Sequence, residues 1–204
     1  MSMKQEARIA GRTLALWPQI RTEIMNSTVP GDAWTAPALR AEIETFIAAQ
    51  HTVALATVAD DGSAHGASLL YAPDGLGLVW TSDPLSRHSR YLGARPRVTA
   101  TIAPDYNDFA LIRGVQMAGE AVRMSGAIDI ARACALLMAR YPFLAQLVGA
   151  PAALRAAWDK ASFYRLTPSR IALIDNTRGF GHKATLLVNG DGNLALERKG
   201  SGLV

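Results

Sequence analysis

The sequence predicts an α+β domain whose antiparallel sheet, of six strands or so, curls into a barrel with flanking helices. Three observations carry that expectation. From Thr52 onward the apolar pattern changes from helical to strand periodicity. Turn residues at Asp60-Asp61-Gly62 and Ala72-Pro73-Asp74-Gly75 join the strands at close spacing. The stretch from Ile112 to Met124 is a long strand carrying Gly114 and Gly119, where a sheet can bend.

Residues 1–36 read as an N-terminal helical arm. Ile9, Leu14, Leu16, Trp17, Ile20 and Ile24 recur near helical spacing, Pro18 kinks the run, and Val29 to Asp32 is a turn. Residues 37–188 form the barrel domain. It opens with an amphipathic helix from about Pro37 to Gln50 that keeps Leu39, Ile43, Phe46 and Ile47 on one face. Thr52 to Val58 is a buried strand, Ala64 to Tyr71 its return, and Leu76 to Ser82 a third strand joined to them by hairpins. Ser86 to Ala94 is a short helix stopped by Pro96, and Arg97 to Ile102 a fourth strand. After the long fifth strand, Ile128 to Tyr141 is a helix with Ile130, Cys134, Leu137 and Met138 on one stripe. Ala152 to Lys160 is another helix, and Ser162 to Leu166 and Arg170 to Ile174 return to strand. Residues 189–204 are a final turn, Asn189 to Gly192, and a tail that becomes disordered after Lys199.

Half of the 204 residues are hydrophobic and 19% are charged, so the chain can bury a core. The net charge of +4, with no block of like charges, suits a small anionic ligand and gives no sign of a nucleic-acid partner. Cys134, the single cysteine, excludes an internal disulfide framework and a cysteine-rich metal site, and it fits a reducing cytoplasm. No apolar run reaches the roughly 20 residues that span a bilayer, so no membrane partner is expected. His51, His65, His88 and His182 show no metal-ligand spacing, and no dinucleotide or P-loop glycine pattern is present.

The most informative stretch runs from Val79 to His88. A strand ends in Thr81-Ser82, and a helix then opens with Ser86-Arg87-His88. Free N–H groups and the positive dipole end at a helix start accept phosphate. A hydroxyl from Ser86, a fork from Arg87 and a switchable donor from His88 would complete a grip. The alternative is an ordinary helix cap beside two solvated bases. Arg113 and Gln116 could hydrogen-bond a planar heteroaromatic ligand, or could be solvated positions of an antiparallel strand. The stretch Asp175 to Lys183, with Arg178, Gly179, Phe180, Gly181 and His182, is either a binding loop over a site or a loop whose glycines serve its own turns.

Taken in order, four segments resemble the pyridoxamine 5′-phosphate oxidase-related split-barrel flavoproteins over about Leu39 to Lys183. They are Val53 to Val58 with Asp61-Gly62, Leu78 to Ser82 followed by Ser86-Arg87-His88, Arg113 to Gly119, and Tyr164 to Ile171. The resemblance implies an antiparallel split β-barrel, a homodimer, and flavin mononucleotide (FMN) bound across the subunit interface. Ser86, Arg87 and His88 match the family's Ser-Arg-Lys at the flavin phosphate, with His88 in place of Lys. Trp80 and Thr81 match the pair beside the ribityl chain and ring. Ala67, Ser68, Leu69 and Leu70 match the strand along the ring edge, and Arg113 and Gln116 lie on the strand reaching the ring from the partner. The departures are equally specific: Gly66 stands where the oxidases carry a phosphate-gripping arginine, Gly114 replaces a flavin-binding glutamine, and Ile174 replaces a tryptophan. The oxidase ending is replaced by Asn176 to His182, so Arg178, Phe180 and His182 become candidate substrate residues. The resemblance therefore implies an FMN-dependent oxidoreductase acting on a small molecule other than pyridoxamine phosphate. Related split barrels bind or degrade haem, for which His182 would be the axial ligand to test, and flavin storage or sensing without catalysis is the third possibility.

Overall fold

Thr35 caps the first helix by accepting from the Ala38 N–H at 3.3 Å, and Pro37 in the first turn has no N–H that the helix needs. That helix, α1 (Ala36–Ala49), is the first element of a computed structural model that describes residues 34–149 and 151–197. The expected helical arm, apart from its last residues, lies outside the described residues, as does the tail after Lys199.

After α1 come β1 (Thr52–Val58), β2 (Ala64–Leu70), β3 (Ala72–Asp74), β4 (Gly77–Ser82), α2 (Arg87–Ala94), β5 (Arg97–Ile102) and β6 (Arg113–Arg123). The chain continues through α3 (Ala127–Arg140), α4 (Ala152–Lys160), β7 (Ser162–Asp175), β8 (Lys183–Val188) and β9 (Leu194–Leu196). Single 3-10 turns stand at Phe109–Leu111 and Asn176–Arg178, and a longer 3-10 stretch at Pro142–Gly149. The strands form one antiparallel sheet in the order β2-β1-β5-β6-β7-β4-β3, with β8 also on β7 and β9 on β8.

Strict alternation on β1 and β5 turns Val53, Leu55, Val98, Ala100 and Ile102 inward. There they meet Leu39, Ile43, Phe46 and Ile47 of α1 and Leu92 of α2. Trp80 and Tyr164, directly opposite on β4 and β7, stack at 5.8 Å with 14° between their planes and are fully buried. A second, smaller core joins Ala72 and Val79 to Ala133, Leu137 and Tyr141, docking α3 on the other face of β3–β4. Asp74, its side chain 6% exposed, fixes that docking through Arg132 at 2.6 Å and Arg165 at 3.0 Å.

Several expectations change. Strands 64–71 and 76–82 do not form a hairpin with each other. The chain turns at Tyr71, whose hydroxyl donates to the Ile47 carbonyl at 2.6 Å, and carries β3–β4 to the opposite end of the sheet. The two short strands expected at 162–166 and 170–174 are one strand, β7, and Pro168 is tolerated because β6 and β7 shift register at Ala118/Gly119. The expected stripe on α3 is rotated: Ala133 and Leu137 are buried, whereas Met138 is exposed. β8 and β9 were not expected. They close on the Asn189–Gly192 turn, in which the Gly192 N–H donates to Asn189 at 2.9 Å.

Gly119 is where β6 and β7 come closest. A Cβ there would stand 2.2 Å from the Thr167 carbonyl oxygen and 2.7 Å from the Pro168 Cα. A Cβ at Gly66 on the edge strand β2 would meet nothing within 4 Å. Gly119→Ala is therefore expected to lower unfolding stability by about 1–3 kcal/mol, as overpacking does. Gly66→Ala should stay within about 0.5 kcal/mol of the parent. Denaturant titration of both variants checks this, and similar midpoints for the two would contradict the packing argument.

Candidate functional site

The end of β4 and the start of α2 bring two hydroxyls to one imidazole, with a third, Ser89, behind them. Ser86 is the N-cap of α2, in extended conformation, and its Oγ accepts from the Ser89 N–H at 3.4 Å and lies 2.8 Å from Ser89 Oγ. Ser82 Oγ lies 2.7 Å from His88 Nε2, and Ser86 Oγ lies 3.2 Å from the same nitrogen. His88 is 9% exposed; burial, with His65 adding a smaller electrostatic push, holds its pKa below the usual histidine value. At neutral pH it is therefore an uncharged ring that orients Ser82 and Ser86. It is not the cation that a lysine in its place would supply. Arg87, next along the helix, is exposed. The sequence alternatives thus merge: Ser86 is an ordinary cap, and the same geometry leaves a helix start with oriented hydroxyls and an exposed guanidinium.

Alternation splits the four residues named on β2. Ala67 and Leu69 turn toward the core side, where Leu69 packs, and Ser68 and Leu70 turn outward. The register then places Ser68, Ala54, Thr101 and Gln116 in one row across β2, β1, β5 and β6. Gly66, Ala56, Thr99 and Ala118 form the next row. Ser68 and Gln116 therefore share an outer face of small uncharged side chains, about 14 Å apart at three strand spacings. β2 ends the sheet order, so one side of its backbone has no strand partner among the described residues.

Other candidates are placed elsewhere. The Trp80 side chain lies in the core, 1% exposed, with its indole nitrogen unpartnered, so Trp80 can reach a surface ligand only through its backbone. Thr81, one residue on, faces the opposite side and is half-buried. Arg113 and Gln116, three apart on a strand, face opposite sides and cannot grip one ring together. Arg113 instead ties Asp175, at 3.1 Å, to Glu42, and it lies over the Phe46 ring at 5.6 Å. Burial opposes its charge, but the two carboxylates outweigh that and raise its pKa. It is a structural cation, already neutralised, and not a free one beside a cofactor.

The loop 176–182 lies, within one chain, at the other end of β7 from the α2 start. Ser82 pairs with Ser162 at the start of β7, whereas the loop follows Asp175 at its end. Thirteen residue steps separate the two, roughly 40 Å of strand contour at 3.3 Å per residue. Within one chain the loop does not meet the α2 start. Asn176 binds it instead to the 109–112 segment, its N–H donating to the Ile112 carbonyl at 2.9 Å and its side chain to the Phe109 carbonyl at 2.7 Å. Arg178 stacks on Trp34 at 4.3 Å and lies 3.7 Å from Asp175. Phe180, 56% exposed, meets Phe109 edge-on at 5.8 Å and is not a core anchor. His182 is half-buried with its Nδ1 unpartnered.

A groove of about 650 Å³ lies elsewhere, where Arg97 and Glu120 stand opposite one another beside Thr167, Pro168 and Asn189. The sequence signals for it were Gly119 and Pro168, which together mark a β-bulge. Among the described residues no helix is long and apolar enough to cross a membrane, and no cluster of three metal-ligating side chains occurs.

Two outcomes test this geometry. Removing Arg113 leaves Glu42 without its cation and Asp175, 5% exposed, with only the more distant Arg178 at 3.7 Å, so Arg113→Ala should cost about 1.5–3 kcal/mol in a denaturant titration. His88 has a lowered pKa in the folded protein, so the unfolded chain takes up its proton first. The stability it contributes is complete above the ordinary histidine value of about 6.5 and is lost as pH falls toward the folded value. His88→Gln should flatten that loss between about pH 7 and pH 5. An unchanged slope would remove His88 as its source.

Comparison with known proteins agrees with this architecture. The family described as pyridoxamine 5′-phosphate oxidase matches residues 39–175. A UPF0306 protein of Klebsiella pneumoniae is 32% identical over 144 residues, covering 70% of this chain and 89% of that protein. Among solved structures, a heme-binding protein from Mycobacterium smegmatis superimposes with a TM-score of 0.59 at 23% identity, over 76% of this chain and 60% of that one. The heme storage protein HutZ of Vibrio cholerae does so with a TM-score of 0.52 at 19% identity, over 64% of this chain and 89% of that one. At those identities the structural likeness speaks for the fold alone. Nine antiparallel strands in one curled sheet among the described residues, the match over residues 39–175 and the UPF0306 relative together place the chain in the pyridoxamine 5′-phosphate oxidase-related split-barrel family, as a divergent member.

Proposed function

We propose that the protein binds FMN as a homodimer and acts as a flavin-dependent oxidoreductase on a small molecule. The observation that carries this reading is the start of α2, where Ser86, the exposed Arg87 and the Ser82–His88 pair converge on a helix that meets β2 through the Tyr91–His65 ring contact.

These residues fit a phosphomonoester. The first-turn N–H groups and the Ser86 hydroxyl donate to it, and Arg87, which makes no ion pair among the described residues, adds a bidentate contact. His88 acts through the hydroxyls it orients, which makes the grip less cationic than one containing lysine. The edge of β2 offers backbone groups to the polar margin of a planar ring, and Ser68 and Gln116 offer side chains on the outer face. That face, uncharged over Ala54, Ala56, Thr99 and Thr101, is suited to cover by a second copy, so that β6 of one protomer faces the ring held by its partner. When bound, flavin supplies hydride transfer; the chain's residues bind it, orient it and exclude water. No side chain at the α2 start is required as acid or nucleophile.

Haem binding is the second reading. It is favoured by His182, whose Nδ1 is unpartnered, and by the fold shared with the two haem proteins. The absorption spectrum of the purified protein titrated with each compound separates the readings. FMN binding is expected, and a Soret band with no flavin uptake would overturn it. Arg87→Ala removes a charge-assisted contact of about 1.5–3 kcal/mol and should weaken FMN binding roughly ten- to a hundredfold. Riboflavin binding should hardly change, and equal losses for both ligands would show that Arg87 acts through the fold. A monomer in sedimentation that binds FMN tightly would refute the dimeric site.

A further inference from the structure

At the loop end of the barrel, Phe109, Leu111, Ile112 and Phe180 are 56%, 53%, 38% and 56% exposed. Four large apolar side chains gathered in this way form a patch, not scattered exposure. The patch is built deliberately: Asn176 bonds to the carbonyls of both Phe109 and Ile112, its Oδ1 accepts from the Gly181 N–H at 3.1 Å, and the two phenyl rings meet edge to face.

Two features of this chain converge there. Trp34, the first described residue, lies under the Arg178 guanidinium at 4.3 Å, so the chain enters the fold beside the loop that carries Phe180. Residues 1–33 and residues 176–182 both lie outside the 39–175 match to the family. The entering segment carries Leu14, Leu16, Trp17, Ile20 and Ile24 near helical spacing, with the kink at Pro18, interleaved with Arg21 and Glu23 and preceded by Lys4, Glu6, Arg8 and Arg12. An apolar stripe of that kind needs a surface to cover it, and 33 residues are ample to double back from Trp34.

We propose that residues 1–33 fold back over the Phe109–Leu111–Ile112–Phe180 patch and are the occupant that this surface is made for. The proposal does not rest on the flavin reading: the patch lies at the opposite end of β7 from the α2 start, and its occupant is part of the same chain.

Hydrogen exchange read by mass spectrometry on the full-length protein tests it. Amides of residues 9–24 are expected to exchange at least roughly tenfold more slowly than free peptide. The double substitution Phe109→Ser and Phe180→Ser should abolish that protection while β1 and β6 amides stay as protected as in the parent. Should that variant fail to fold, Leu16→Ser with Ile20→Ser provides the reciprocal reading: faster exchange at residues 109–112 and increased binding of an apolar fluorescent dye. Free-peptide exchange of residues 9–24 in the parent would overturn the proposal, as would protection that survives the patch substitutions. Protection at 109–112 that rises with protein concentration and ignores the Leu16/Ile20 substitutions would assign the patch to a second copy and likewise overturn it.

Discussion

At Gly119 the Thr167 carbonyl oxygen stands 2.2 Å from where a Cβ would be, so β6 and β7 can pair along their length only with glycine there. That close approach shifts the register between Ala118 and Gly119 and lets Pro168 sit inside a 14-residue strand without losing a needed hydrogen bond. β7 in turn pairs with β4, β6 and β8, and it sets Tyr164 against Trp80 in the core. The curl of the sheet, the position of Ser82 at the start of β7 and the distance of the 176–182 loop from it all follow from this one strand.

Charge is distributed so that buried carboxylates are paired with arginines and the one buried imidazole is neutral. Arg113 joins α1 to the end of β7 through Glu42 and Asp175, and Arg132 and Arg165 converge on Asp74 beneath α3. His88, packed among serine hydroxyls, stays uncharged. The exposed Arg87 at the helix start makes no ion pair among the described residues. Arg113, however suggestive its strand, has already committed its fork to carboxylates.

Much of the candidate site was legible in the sequence because its signals are local. Ser86 as the first residue before a helix, Arg87 and His88 in its first turn, and the hydroxyl pair ending β4 all follow from short-range rules of capping and alternation. β8 could have been read in the same way, since Ala184 to Val188 leads into an Asn-Gly-Asp-Gly turn. Its polar start beside a glycine-bearing loop concealed it. The stripe on α3 was misplaced because helical spacing names an apolar face but not which part of it meets the β3–β4 layer.

What the sequence determined by itself is whatever depends on neighbours within a few residues: most of the elements, the apolar face of α1, the family motifs and the helix start capped by Ser86. The tertiary structure alone decided which strands adjoin, and therefore which residues meet. It separated β2 from β4, put Ser68 and Gln116 in one row, sent Arg113 to carboxylates 71 and 62 residues away in sequence, and set Phe180 against Phe109. The reason is physical. Capping and alternation are satisfied by short-range hydrogen bonds and local backbone geometry, whereas strand order depends on which apolar faces and unpaired edges are covered once the whole chain is closed.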